Sequence, residues 1–571
     1  MGTQERAWLK SYPQGMRWDS EIETGLVQGI LDQAVARWPD NPAVQFMGRR
    51  ISFRELDALV NRAAKGLQQQ GVGPGVHVGL FLPNSPHHTI AFFAILRAGG
   101  TVVNYSPLDV PKVLEHKIED SQTDIVITLD LAALYPQMAA MLGKTRLKKL
   151  IVGNMGEMSA APEAVNARLA EAKQLADVSW DERHVHFADL LDNDGDYVRH
   201  DVGEPAQALA VLQYTGGTTG LPKGAMLTHA NLTAAVSQSA ITNVDTLAPG
   251  KESFLAVLPL FHIYALTANM LYCFHIGAEL VQHARFDPGE ALRAIRDKQV
   301  SVFAGVPTMF TALIDHPDTP GSDLSALKYC LSGGAPLPVE VGQRYTRITG
   351  CAVAEGWGMT ETSPTGTFTP SIGGKIHNKP GSCGIPMPGV DIKLLALDGS
   401  GQYVPLGEKG EICIKGPNVM LGYWKRPDAS RDSLTADGYF RTGDVAYMDE
   451  DGYLYIVDRC KDMLLCSGYN VYPRMLEEAI YQHPDVNEVC VIGVPDPYRG
   501  QSPKAFVTLK AGAQPFTLAQ LQDFLKDKLG KHEMVQALDI RKELPKTPVG
   551  KLSKKDLADE EARKRAAAPP A

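Results

Sequence analysis

The stretch of this chain best suited to holding an anion is Tyr214-Thr215-Gly216-Gly217-Thr218-Thr219-Gly220-Leu221-Pro222-Lys223-Gly224. Its glycines let backbone N–H groups turn toward an oxyanion without Cβ interference, its threonine hydroxyls add donors, and Lys223 adds a mobile positive charge. A loop of this make-up can wrap a triphosphate. It departs from the Walker pattern, because Lys223 is followed by Gly224 and not by the Ser or Thr that would ligate a metal. Composition alone leaves a Gly/Thr-rich surface linker as the alternative.

Such a loop needs rigid elements to aim it. Ala208 to Tyr214 is an apolar run of strand length leading into it, and from Ile51 to Ser332 similar runs (Val76 to Leu82, Ile125 to Leu129, Leu255 to Leu258, Val302 to Ala304) alternate with helical patterns, which predicts an α/β fold. One predicted helix places Leu56, Leu59, Val60, Ala63 and Leu67 at helical spacing, with Gly71 and Gly73 as stop signals. After Gly384 the turn pairs Asp398-Gly399, Asp437-Gly438 and Asp451-Gly452 separate alternating strands such as Glu411 to Lys415, predicting an antiparallel subdomain. Beyond Asp458 the strand candidates Val489 to Val494 and Ala505 to Leu509, with a helix whose face carries Leu518, Leu521, Leu525 and Leu529, predict a small α+β domain ending in a polar, disordered tail. The segment from Gly143 to Gly203, rich in Ala, Asp and Glu, gives no clear pattern.

Bulk properties narrow the function. The chain of 571 residues, 44% hydrophobic and 21% charged, is long enough for more than one domain, and its net charge of -9 argues against nucleic acid as a partner. Neither a signal-peptide core in Met1 to Asp19 nor a membrane-spanning run is evident, so a cytoplasmic location is expected. Eight cysteines without a CxxC pair predict reduced, packed thiols rather than disulfides or zinc.

Further motifs follow the loop in a fixed order: Leu258-Pro259-Leu260-Phe261-His262, Glu355-Gly356-Trp357-Gly358-Met359-Thr360-Glu361, Tyr439-Phe440-Arg441-Thr442-Gly443-Asp444, Asp458-Arg459-Cys460-Lys461-Asp462 and Pro545-Lys546-Thr547-Pro548-Val549-Gly550-Lys551. In this order, over nearly the whole chain, the sequence resembles the adenylate-forming (acyl-activating) superfamily. Through Gly422-Tyr423-Trp424-Lys425-Arg426-Pro427 and Ser467-Gly468-Tyr469-Asn470-Val471-Tyr472-Pro473 it is most similar to the bacterial long-chain fatty-acyl-CoA synthetases. The resemblance implies a large N-terminal domain (1–458) of two α/β sheets plus a β subdomain, and a small mobile α+β C-terminal domain (459–571), with a hinge near 458–462 at Asp458 and Lys461. It also implies the reaction, in which a fatty acid attacks the α-phosphate of ATP to give an acyl-adenylate and pyrophosphate, and the thiol of coenzyme A then displaces AMP.

Residue roles carry over position by position. Lys551 is implied as the catalytic cation bridging carboxylate and α-phosphate, with a solvated tail lysine beside Lys554 and Lys555 as the alternative. Glu361, with Thr218, is implied to hold Mg²⁺ on the triphosphate, and Asp444 and Arg459 to contact the ribose or phosphate. Trp357, standing where relatives carry tyrosine, offers a face for adenine, and Gly333, Gly334, Ala335 and Pro336 supply close backbone approach. Thr215 to Gly220, Lys223 and Glu355 to Thr360 complete the nucleotide set. His262 is implied as a gating and orienting residue, against a packed core histidine; the substrate carboxylate is already ionised and needs no base. Lys461, Ser467, Gly468 and Tyr469 are implied to reach coenzyme A after the small domain rotates. Tyr264, Leu266, Phe303, Val306 and Gly333 are candidates for the acyl pocket, with a packed core as the alternative for the first four.

The resemblance leaves ligases of dicarboxylic or aryl acids as alternatives, and a non-catalytic nucleotide-binding scaffold as a different class, against which Lys551, Glu361 and Asp444 argue. A homodimer is the family expectation, and peripheral contact with the inner membrane is open beside the cytoplasmic location. Pro545-x4-Gly550-Lys551 resembles an acetylation context, which implies an acetyltransferase and deacetylase acting on Lys551.

Overall fold

A computed structural model describes residues 6–215, 222–467, 469–547 and 550–566. The predicted elements Gly216 to Leu221, Gly468, Pro548 and Val549 lie outside the described residues.

Two sheets organise the first three-quarters of the chain. One has seven strands in the order Val353–Glu355, Tyr329–Ser332, Val302–Gly305, Ser253–Ala256, Glu279–Gln282, Pro42–Phe46, Arg49–Ser52, all parallel except the last pair. The other has eight, with Leu209–Thr215 parallel to Thr101–Asn104, and Lys223–Thr228 folded back antiparallel on Leu209–Thr215. Helices cover both sheets, so the parallel strands are apolar on both faces, and Ile125–Leu129 is buried at every position. Helix Phe53–Gln69 forms because Ser52 Oγ caps Glu55 N–H at 3.1 Å and Leu56, Val60, Ala63 and Leu67 share a buried stripe.

A four-stranded antiparallel sheet, Asp391–Leu395, Gly410–Lys415, Phe440–Met448 and Leu454–Arg459, follows the predicted turn pairs. Its hydrophobic contacts merge with the main core. The remainder has a core of its own around Leu476, Val491, Val507 and Leu521, beneath a five-stranded sheet. Val445, Val457 and Tyr472 form a small apolar seam between the two parts.

Three expectations need adjustment. The unclear segment supplies strands Lys149–Gly153 and His184–His186 to the edge of the eight-stranded sheet, while its helix Pro162–Glu171 buries no residue, which is why its composition looked structureless. Leu529 lies past the end of helix Leu518–Leu525, although it packs on the same core. The polar tail is helical from Lys554 to Ala566, held by buried Leu557 and by the Lys504–Glu561 and Arg541–Glu560 ion pairs. All eight cysteines are free, and seven are buried. Among the described residues no helix is long and apolar enough to cross a membrane, and no cluster of three or more His, Cys, Asp or Glu side chains could hold a metal.

Candidate active site

A cavity of about 1410 Å³ opens where the carboxyl ends of strands Val302–Gly305, Tyr329–Ser332 and Val353–Glu355 meet the four-stranded sheet and the C-terminal part. That end of a parallel sheet is where connecting loops diverge and leave room for a ligand. Thr215, Lys223, His262, Gly333 to Pro336, Glu355 to Glu361, Asp444, Arg459, Lys461 and Lys551 all line it.

Lys551 enters from the far side. Its loop is closed by Thr547 Oγ1 accepting from Lys551 N at 3.1 Å and by Gly550 N donating to Thr547 O at 2.8 Å; Thr308 Oγ1, from the large part, donates to Gly550 O at 2.7 Å. The side chain then lies over Gly334, where an added Cβ would sit 2.7 Å from Lys551 Cε and 3.1 Å from Nζ. The φ of +79° favours glycine at 334, and an added Cβ would also push the end of the Lys551 side chain aside. Withdrawal from water, with Arg459 adding repulsion, pushes the Lys551 ammonium from 10.5 down to about 8, against the pull of Asp444.

Asp444 and Arg459 are partners across neighbouring strands, joined at 2.8 Å, and Trp357 Nε1 donates to the other Asp444 oxygen at 2.8 Å. Burial raises the Asp444 carboxyl, and Arg459 opposes that shift. The Trp357 ring packs on Gly366, whose added Cβ would stand 2.6 Å from it. Its indole N–H therefore orients Asp444 while the ring stays on the cavity wall. Glu361 is buried, accepts from Tyr423 OH at 2.8 Å, and has its carboxyl raised by that burial. Glu355 is raised to about 7 by burial and accepts from Leu337 N–H at 3.2 Å, so it fixes the Gly333 to Pro336 segment.

The stem of the glycine loop is a hairpin pairing Thr215 with Lys223. Trp424 N–H donates to Gly224 O at 2.8 Å, while Trp424 Nε1 donates to Asp120 O at 2.9 Å and Tyr214 OH to Asp120 Oδ2 at 2.7 Å. Gly216, Gly217, Thr218, Thr219 and Gly220, at its tip, lie outside the described residues.

His262 faces the cavity at the start of the helix that carries Tyr264. Desolvation, with Lys551 adding repulsion, pushes its imidazole down to about 3, so it is neutral at physiological pH. Two buried amides that sequence reasoning missed hold its segment. Asn84 Nδ2 donates to Ala256 O at 3.0 Å and Leu258 O at 2.9 Å while Asn84 Oδ1 accepts from Leu260 N at 2.8 Å, and Gln213 Nε2 donates to Phe261 O at 3.0 Å. The available signal was an amide inside the apolar run Ala208 to Tyr214, where an uncompensated polar group would be costly. Replacing Asn84 with Ala strands Leu258 O and Leu260 N–H, while Ala256 O keeps His283 N–H at 3.1 Å, and we expect a loss of about 1–3 kcal/mol in chemical denaturation together with a raised KM for the acid.

The acyl candidates divide. Tyr264 and Gly333 line the cavity, with Tyr264 OH donating to Leu331 O at 3.1 Å. Leu266, Phe303 and Val306 are buried off its wall. Alternation along Val302–Gly305 turns Val302 and Ala304 to the cavity and Phe303 onto Phe310, 5.2 Å between ring centroids. On the helical segment the cavity face carries Tyr264, Ala268 and Tyr272, leaving Leu266 on the back.

Lys461 reaches the cavity rim, its ammonium lowered by burial and by Arg459. Ser467 and Tyr469 do not reach the cavity; Tyr469 is exposed and leans on His532 at 4.9 Å. Asp458 stands at the junction, accepting from Arg459 N and Arg474 N at 2.8 Å each, with Lys554 Nζ at 3.6 Å from Asp458 and 3.3 Å from Glu477.

If Lys551 acts as a cation, only its protonated form works. Because its value in the folded chain is depressed, adenylate formation should decline as pH rises through about 8, while the unfolded chain keeps that proton up to about 10.5. Between those limits the unfolded state binds more protons, so this group makes stability rise with pH. Initial rates of pyrophosphate release from pH 6.5 to 9.5 check the first statement; a profile flat to 9.5 would remove it.

A family model described as AMP-binding enzyme matches residues 31–424, and one described as AMP-binding enzyme C-terminal domain matches 475–551. The chain is similar to a long-chain-fatty-acid–CoA ligase of Bacillus subtilis, 39% identical over 560 residues covering 98% of each chain. It is also similar to a feruloyl-CoA synthase of Amycolatopsis sp, 35% identical over 91% of this chain and 96% of the other. Among solved structures, ATP-bound MatB from Rhodopseudomonas palustris superposes with a TM-score of 0.81 at 27% identity, covering 94% of this chain and 99% of the other. The apo form of the same protein gives 0.73.

Proposed function

The chain belongs to the AMP-binding enzyme family, and from that premise we propose that its cavity is where a fatty acid is joined to coenzyme A through an acyl-adenylate, with ATP giving AMP and pyrophosphate. The observation that carries this reading is Lys551 lying over Gly334 beside the Asp444–Arg459 pair, inside a cavity that also holds Glu361. The acid enters as a carboxylate. Two anions must then approach each other, and a positioned cation lowers that barrier as charge shifts from carboxylate to pyrophosphate. Lys551 supplies that charge at the reacting oxygens. Asp444, oriented by Trp357, accepts from the ribose hydroxyls, and the peptide bonds of Gly333 to Pro336, fixed by Glu355, let nucleotide and acyl carbonyl lie close to the chain.

Glu361 fits Mg²⁺ in one respect: it is a buried carboxylate with a single hydroxyl partner, which a hard cation shared with phosphate oxygens would complete. Glu361 and Thr218 would hold that ion, and bound there it would neutralise triphosphate charge. His262 remains neutral and closes the acyl entrance without acting as a base.

The second half-reaction needs a different surface. Ser467, Gly468 and Tyr469 face the thiol after the part following Asp458 turns about 458–462, which withdraws Lys551. Acetylation of Lys551 would remove its charge, and an acetyltransferase reaches it only after that turn. Pyrophosphate release with a panel of aliphatic, aryl and dicarboxylic acids, with and without coenzyme A, tests the whole reading. Turnover with medium or long aliphatic acids supports it, and no turnover with any aliphatic acid overturns it.

A further inference from the structure

The acyl wall continues well past the reacting end, and its far end is polar. Strand Tyr329–Ser332 runs from Tyr329 through Leu331 to Gly333 beside Lys551's resting place, and Val302 pairs in register with Tyr329. Four residues of strand correspond to about 13 Å. The opposite wall is lined by Tyr264, Ala268 and Tyr272, on a segment that is π-helical from Ala265 to Leu271. An extended chain advances about 3.6 Å per three bonds, so this depth suits about eleven bonds.

Three neutral hydrogen-bonding side chains meet there: Asn243, Tyr272 and Tyr329, each buried and each lining the cavity. Asn243 ends helix His229–Thr242, donates through Nδ2 to Ser239 O at 2.9 Å, and its amide also faces both phenols. Burial raises both phenols, so they are uncharged donors. The buried carboxylate of Glu252 acts on Tyr272 and is already engaged by Lys328 Nζ at 3.0 Å and Ala248 N at 2.9 Å. Among the described lining residues, every cation belongs to the loop stem, the Phe440–Met448 and Leu454–Arg459 strands or the C-terminal part, and none to the far end. A second carboxylate there would be a buried charge without a partner and near a like charge, whereas a hydroxyl would find donors and an acceptor.

We propose that Asn243, Tyr272 and Tyr329 recognise a neutral hydroxyl at the far end of the acyl chain, so that ω-hydroxy acids of about twelve carbons are substrates and the matching dicarboxylic acids are not. This rests on the acyl–CoA ligase reading. An unsubstituted chain also fits, its end lying against the rings of Tyr272 and Tyr329. Chain position sets the effect: a hydroxyl on a much shorter chain stops beside apolar Leu331 and Ala304.

The test is kcat/KM for thioester formation by the full chain, with ATP, Mg²⁺ and coenzyme A, on dodecanoic, 12-hydroxydodecanoic, 6-hydroxyhexanoic and dodecanedioic acids. The wild-type ratio of 12-hydroxydodecanoic to dodecanoic acid should be at or above one, with dodecanedioic acid about 100-fold poorer than the hydroxy acid. In Asn243→Leu and, separately, Tyr329→Phe that ratio should fall about tenfold. Taking the ratio within each variant cancels any loss of folded protein. A wild-type ratio near one-tenth or below, a ratio unchanged in both variants, or dodecanedioic acid used as readily as the hydroxy acid overturns the proposal. Failure of every unsubstituted acid would instead remove the ligase reading beneath it, a separate and recognisable result.

Discussion

Replacing Lys551 with Ala should lower acyl-adenylate formation by about 10²- to 10³-fold or more, while supplied acyl-adenylate still reacts with coenzyme A at close to the wild-type rate. The expectation follows from placement. Lys551 is carried on a loop tied to the large part by the Thr308–Gly550 bond and reaches Gly334 at the carboxyl end of the sheet. On the proposed mechanism its charge acts on the anions of the first step and is absent from the surface proposed for the second. Two assays decide the matter: pyrophosphate release for the first step and thioester formation from synthetic adenylate for the second. Equal losses in both would show that Lys551 supports the site as a whole and would end the division of labour. Lys551→Arg keeps the charge, but its wider, planar guanidinium has little room over Gly334, so we expect it to recover only part of the first-step rate.

The second large effect is structural. Gly358→Ala should abolish both half-reactions and lower the unfolding temperature markedly, by an amount corresponding to about 4 kcal/mol or more. A Cβ at 358 would stand 1.5 Å from Pro364 O and 2.4 Å from its carbonyl carbon, a collision between two backbones that no rotamer relieves. The segment it would displace carries Glu361 on one side and is held on the other by Asn418, whose Nδ2 donates to Thr362 O at 2.9 Å. Gly356→Ala is the control: its Cβ would meet Thr367 O at 3.1 Å, which a small shift accommodates. We expect that variant to fold with a modest loss. Calorimetry on both proteins separates the cases, and a Gly358→Ala protein as stable as wild type would contradict the packing described here.

Much of this architecture was legible because strong local signals coincide with elements. Ile125 to Leu129 and Glu411 to Lys415 are strands almost to the residue, and Leu56 to Leu67 is a capped amphipathic helix. The motifs converge because strand ends and the loops after them carry them. Less legible was the direction in which residues face. A parallel strand covered on both sides is apolar throughout, so nothing in the sequence distinguishes Phe303, turned into the core, from Val302 and Ala304, turned to the cavity. Leu266 lies on the back of a helical segment that is buried almost all round, so its apolar neighbours do not mark the cavity face either. Asn84 gave no signal, and Gln213 only that of an amide inside an apolar run, because both satisfy backbone groups of Ala256 to Phe261, distant in sequence. The tail from Lys554 to Ala566 looked disordered since its stability depends on Lys504 and Arg541 elsewhere.

Asp458 would make the proposed joint a brake as well as a hinge. One oxygen accepts the N–H of Arg474 in the first turn of helix Pro473–Tyr481, whose own N-cap, Tyr472, contributes no side-chain bond. Lys554, three residues after Lys551, reaches the same carboxylate and Glu477 together. On the proposed rotation the Asp458 contacts with Arg474 N–H and Lys554 break as the small part leaves, while the Lys554–Glu477 pair travels with it. On that proposal the joint is a detent, its seated position held by a partly buried ionic contact that would set the dwell time there. Higher ionic strength should shorten that dwell and favour the thiol-accepting arrangement, coupling the tempo of the cycle to the salt around it.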